Sequence, residues 1–114
     1  MKKIRKTTSS PETLREWCEK EAGQPCSNFE WLPLTDLEEH TPDSKTEFLL
    51  LAFDSGAAIV YIYDSENSKY IESVSSDEKG HTVIIRWNAG QFLKSYGACK
   101  VGEVKLLSNH GSST

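Results

Sequence analysis

A nucleophilic site needs a thiol or hydroxyl beside a base, with an acid to orient that base. The cheapest such combination in this chain is Cys99 with His81 and Asp77. Cys99 follows a predicted helix end, where a thiol is more often a small packed side chain than a nucleophile, so no catalytic residue is assigned. His40 stands beside Glu38, Glu39 and Asp43, a mixture that can ligate a metal or relay a proton. Its spacing follows no ligand pattern, and a solvated loop histidine accounts for it. Cys18, Cys26 and Cys99 lack the close pairs of a zinc site. None of the seven glycines falls into the spacing of a phosphate-binding loop. No metal and no cofactor is expected. Seventeen acids supply carboxylate pairs by chance too freely for any one pair to be singled out for acid and base work.

What the acids do carry is charge. Between Glu30 and Glu78 there are twelve carboxylates against Lys45 and Lys69, a net charge of 2 − 12 = −10. The overall charge of −4 conceals this, because Lys2, Lys3, Arg5 and Lys6 crowd the N-terminus and residues 79–105 hold five bases against Glu103. Asp36, Glu38, Glu39 and Asp43 fall in one proline-broken loop; Asp54, then Asp64 with Glu66, then Asp77 with Glu78 fall in successive turns. Such segregation selects basic partners and repels a phosphate backbone. Trp31, Trp87, Tyr61, Tyr63, Tyr70 and Tyr96 are candidate anchors for an interface or a stacking platform, although core packing claims most aromatics. Tyr61 and Tyr63 share one strand face, exposed together or covered together.

Length and composition bound the rest. A chain of 114 residues with 37% hydrophobic and 26% charged residues is expected to fold as one domain without staples. The apolar run Phe48 to Phe53 is far too short to span a bilayer. The basic opening MKKIRKTTSS has no apolar run behind it, and the cysteines are odd in number. Both point to a soluble protein of a reducing, cytoplasmic compartment. Residues 1–8 read as a flexible basic arm, 9–107 as a single α+β domain and 108–114 as a flexible polar tail.

Ser9 and Ser10 before Pro11 and Glu12 predict a helix start, Leu14, Trp17 and Cys18 supply its buried stripe, and Gly23 with Pro25 ends it. Residues 24–45 read as a long connection in which Thr35 and Glu38 suggest a helical turn. Residues 47–54 and 57–63 read as a hairpin of two central strands, followed by strands over 69–74 and 81–88, the last with Val83, Ile85 and Trp87 on one face. The spacing of Ala89, Phe92, Leu93 and Tyr96 predicts a short helix over 89–97, and 101–107 returns as a strand. The expected fold is α+β: an antiparallel meander sheet of four to five strands, with an N-terminal helix and a short helix before the last strand.

On these residues the leading reading is a small, non-catalytic inhibitor that docks an acidic face with aromatic anchors on a basic protein surface, such as the nucleic-acid groove of a nuclease. Its partner-binding residues are Asp36, Glu38, Glu39, Asp43, Asp54, Asp64, Glu66, Asp77, Glu78, Trp31, Tyr61 and Tyr63. By size and charge alone the chain resembles toxin-immunity proteins and phage-borne inhibitors. Direct nucleic-acid binding and membrane insertion are not expected. One alternative is a small enzyme or ligand-binding domain with a pocket between the sheet and the 89–97 helix. Another is a homodimer or structural module joined through Tyr61, Tyr63 or an uncovered strand edge.

Overall fold

A computed structural model describes residues 11–53, 58–75 and 82–107, and the backbone of 3–6. In chain order the elements are β1 (Lys3–Lys6), α1 (Pro11–Ala22), β2 (Leu32–Leu34), β3 (Glu39–His40), β4 (Thr46–Ala52), β5 (Ile59–Asp64), β6 (Tyr70–Ser75), β7 (Thr82–Arg86), β8 (Gln91–Tyr96) and β9 (Cys99–Lys105). The helix has the composition its ends require. Pro11 opens it, Glu12 lies in its first turn and Lys20 in its last. Gly23 closes it at φ 74°, its N–H donating to the Glu19 carbonyl at 2.8 Å.

The strands do not form one meander. Among the described residues they divide into a five-stranded sheet, ordered β1-β7-β4-β9-β2, and a four-stranded sheet, ordered β3-β8-β5-β6. Every pairing is antiparallel. The expected hairpin over 47–54 and 57–63 therefore fails: β4 and β5 are both central, as their apolar sequences require, but in different sheets. The physical reason lies in β4, buried on both faces from Phe48 to Ala52. Leu49 and Leu51 join Val60, Ile62, Val74 and Leu93 of the smaller sheet in one cluster, together with Val83, Ile85 and Trp87. Phe48 and Leu50 point the other way and join Leu14 and Cys18 of α1 with Ile84 and Val104. A strand apolar on both sides is satisfied only in a middle layer, so the order is helix, five-stranded sheet, four-stranded sheet.

The helix expected over 89–97 is also absent. Residues 91–96 are strand β8, paired with β5 on one side and β3 on the other. The same residues satisfy a period of two: Leu93 and Ser95 are buried, while Phe92, Lys94 and Tyr96 face outward. In six residues two ladders of backbone hydrogen bonds outweigh one short amphipathic turn. The pocket supposed between sheet and helix loses its roof with that helix. The 24–45 connection hides two short strands, β2 and β3, and a bridge between Cys26 and Leu106. Within the segment expected to be a flexible arm, Lys3–Lys6 pairs with β7 at the sheet edge. Asp54, Asp77, Glu78, His81 and the 108–114 tail lie outside the described residues. No helix among the described residues is long and apolar enough to cross a membrane.

All three cysteines are buried free thiols. Burial, then the neighbouring Cys26 and Glu19, pushes the Cys18 thiol up to about 12. At pH 8 the native protein is therefore expected to show no fast-reacting thiol toward a disulfide reagent, with three released on denaturation. A thiol labelled at the rate of a free cysteine would mean that α1 does not cover Cys18.

Candidate functional site

The outer face of the four-stranded sheet is built by alternation. In β5, Val60 and Ile62 turn into the core, so Ile59, Tyr61 and Tyr63 turn out. In β8, Phe92, Lys94 and Tyr96 do the same beside them, Tyr63 lying opposite Phe92 and Tyr61 opposite Lys94. Tyr70 of β6 lies opposite Tyr63 across a register shift. The result is one continuous group of five rings. Tyr63 stacks on Phe92 with centroids 5.2 Å apart and planes at 22°. Tyr61 meets Tyr96 at 5.0 Å and Tyr70 at 5.8 Å, and Tyr63 meets both Tyr61 and Tyr70 at 6.4 Å. Tyr70 is 58% exposed, Ile59 40% and Tyr96 36%, so the cluster forms an open surface.

Charge lies around it. Glu39 of β3 is exposed and opposite Lys94 in the β3–β8 register. The Lys94 ammonium sits 5.6 Å from the Tyr96 ring centroid. Desolvation, a hydrogen bond with Tyr96 and the charges of Tyr96, Tyr61 and Glu39 raise the Tyr63 phenol above its ordinary value.

The structure separates the residues expected to bind a partner. Tyr61, Tyr63 and Glu39 share the outer face, with half-buried Asp64 and exposed Glu66 at the end of β5. Trp31 does not join them: it packs edge-on to Phe29 at 5.0 Å, against the cluster under α1. Several acids hold the chain in shape. Asp36 accepts from the Gly97 N–H at 2.8 Å, and Glu38 accepts from the Thr35 N–H at 2.8 Å and its hydroxyl at 3.2 Å. Asp64 accepts from Glu66 N–H at 2.8 Å and Asn67 N–H at 3.3 Å. Asp43 accepts from the Lys45 N–H at 2.8 Å and lies 3.6 Å from the Lys105 ammonium, and these contacts hold its carboxyl below the ordinary value. Glu38, Asp43 and Asp64 close turns and Asp36 ties its loop to the end of β8, with charge left over.

His40 is not the solvated loop residue expected of it. Its Nε2 lies 2.6 Å from Glu103 Oε2, and Glu103 Oε1 accepts from the Asp43 N–H and the Thr46 hydroxyl, each at 3.1 Å. This cluster ties β3 of one sheet to β9 of the other. Nothing local in the sequence pairs residues 63 apart. Phe92, Tyr70 and Tyr96 complete the ring cluster; alternation in 91–96 is the signal that would have found the first and last.

Cys99 is buried, its thiol 3.4 Å from the Ser95 hydroxyl and raised above its ordinary value chiefly by desolvation. Among the described residues no group of three or more His, Cys, Asp or Glu is arranged to hold a metal ion. No protein-family model matches the chain, and no curated protein or solved structure is significantly similar to it.

Proposed function

We propose that the protein is a non-catalytic binding module, an inhibitor in the manner of an immunity or counter-defence protein, that docks the tyrosine face of its four-stranded sheet on a basic partner surface. The observation that carries this reading is the five-ring cluster of Tyr61, Tyr63, Tyr70, Phe92 and Tyr96 on a solvent-facing sheet. Tyrosines supply large, stiff contact area and a polar tip, and they dominate the energetic centres of protein interfaces. Glu39, Asp64 and Glu66 at the margin add the sign of charge that steers a basic partner. A nucleic-acid groove is the most basic surface an enzyme commonly offers, which makes it the natural target for an acid-rimmed face.

The test is capture of a partner from extract of the producing cells by four versions of the protein. The tyrosine-face variant Tyr61→Ala/Tyr70→Ala is expected to lose the partner by about thirtyfold or more, the effect of removing about 2 kcal/mol at an interface centre. Glu39→Lys/Glu66→Lys should slow association, and wild-type binding should fall as salt approaches about 1 M, where the screening length is about 3 Å. Trp31→Ala, on the other side of the protein, should bind as wild type. Loss of the partner with Trp31→Ala and retention with the tyrosine variant would overturn the assignment. So would binding indifferent to salt.

A further inference from the structure

The geometry of the rings narrows what the tyrosine face takes up. Tyr61 stands at 84° to both Tyr63 and Tyr70, and Tyr63 stands at 72° to Tyr70. Three near-perpendicular planes with centroids 5.8 to 6.4 Å apart make a corner rather than a row of parallel platforms. A sugar or a base laid flat is served by rings in one plane. Rings set at such angles can present more than one negative π face to a single volume, the arrangement that attracts a cation.

The opposite side of the same molecule shows a cation on one ring of such a pair. Trp17 and Phe48 meet at 76° with centroids 6.3 Å apart. The Arg86 guanidinium lies 4.9 Å from the Phe48 centroid, and the Glu47 carboxylate takes hydrogen bonds from Arg86 Nε and Nη2, each at 2.6 Å. There a guanidinium covers one ring of a perpendicular pair while a carboxylate binds the guanidinium edge. On the tyrosine face the rings have the same spacing and angle, Glu39 supplies a carboxylate on the same side, and Lys94 over Tyr96 is already a cation on a tyrosine ring. Of the charged residues in this sheet and the turn between β5 and β6, Glu72 lies opposite the core residue Ile62, which leaves Glu39, Asp64 and Glu66 against Lys69 and Lys94, a net charge of 2 − 3 = −1 with His40 neutral.

We propose that the corner of Tyr61, Tyr63 and Tyr70, with Glu39 at its rim, is a binding site for an arginine side chain of the partner protein. The proposal rests on the docking reading above and names its anchor. Arginine is favoured over lysine because its guanidinium is planar, less strongly hydrated, and able to stack on a ring while donating to a carboxylate. A basic groove built to hold phosphates would supply such a side chain.

The probe is the peptide acetyl-Gly-Arg-Gly-Arg-Gly-amide, titrated to millimolar concentration while the tyrosine ring resonances are followed by NMR. Saturable shifts at Tyr61, Tyr63 and Tyr70 are expected, with the citrulline counterpart, neutral and nearly isosteric, giving none. The lysine counterpart should bind more weakly by about twofold to fivefold, its ammonium being more strongly hydrated and unable to stack flat on a ring. Glu39→Gln should weaken the arginine peptide to a similar degree. Tyr70→Leu, at an exposed position where folding is not at stake, should remove the shifts, while Tyr70→Phe keeps them. Equal shifts from the citrulline peptide, or none from the arginine peptide, would overturn the proposal. Should the peptide fail while partner capture still depends on Tyr61 and Tyr70, the arginine anchor falls and the docking reading stands. Should the peptide bind while capture ignores the tyrosines, the docking reading falls, and with it the assignment of that arginine to the partner.

Discussion

Leu93→Asp is expected to abolish folding, while Phe92→Asp, one residue earlier, leaves the chain folded. Leu93 is fully buried in the cluster between the two sheets. Aspartate there removes a leucine from a packed core, worth about 2–5 kcal/mol when replaced by alanine, and adds a buried carboxyl that no neighbour is built to satisfy. The sum, about 4–12 kcal/mol, is comparable with the roughly 5–15 kcal/mol that hold a domain together. Phe92 points away from the core and gives up only its stacking on Tyr63, about 0.5–1.5 kcal/mol beyond the area it buries. Urea unfolding followed by circular dichroism separates the outcomes. On a helix over 89–97 the two positions would share a buried face and both variants would fail. A folded Leu93→Asp with a near-native midpoint would show that 91–96 is not the two-sided strand described.

That pair of neighbours also shows where sequence is informative and where it stops. The ends of α1, the double burial of β4 and the face shared by Val83, Ile85 and Trp87 are written in local residue types, because caps and periodicity act over a few positions. Which sheet a strand joins is not local. Leu49 opposes Glu103 in β9 and Ile85 in β7, and only the fold brings those segments together. Short loops between strands suggest hairpins, yet the connections from β4 to β5 and from β6 to β7 cross between sheets. In 91–96 a six-residue window fits both a helical and an alternating period, and the ladders on either side decide.

The candidate face was half legible for the same reason. Alternation in β5 puts Tyr61 and Tyr63 side by side, whereas helical spacing in 89–97 hides Phe92 and Tyr96, and nothing local shows that Trp31 packs on Phe29 under α1. The acids carried a finer signal than their sum. Asp64 two residues before Glu66, and Thr35 three before Glu38, are spacings at which a side chain closes a turn. Counting charge alone overlooks that use.

Gly102→Ala is the second large effect, and its sign is the informative part. In a strand, exchanging glycine for alanine ordinarily stabilises by about 0.4–1 kcal/mol, because the unfolded chain loses freedom. Here β9 lies between β4 and β2, and Gly102, opposite Leu50, is covered by the Phe29 ring. An added Cβ would stand 2.5 Å from Phe29 Cδ2 and 2.7 Å from Cε2. Retreat of the ring is opposed from two directions. Trp31 abuts it edge-on at 5.0 Å, and the backbone two residues before it is tied to β9 through Ser27 N–H to the Lys105 carbonyl at 2.7 Å and Lys105 N–H to Ser27 Oγ at 2.9 Å. Overpacking of this kind costs about 1–3 kcal/mol, so the variant is expected to lose several degrees of melting temperature instead of gaining any. Phe29→Ala removes the obstacle. In that background Gly102→Ala should be neutral or stabilising, giving a coupling of about 1 kcal/mol or more between two positions that share no charge and no hydrogen bond. Four melting curves close the cycle. Additive losses would mean that Phe29 does not lie on Gly102 and that the 24–45 segment crosses the sheet elsewhere. A positive coupling would identify the glycine as the notch that lets this long connection pack flat on the central sheet.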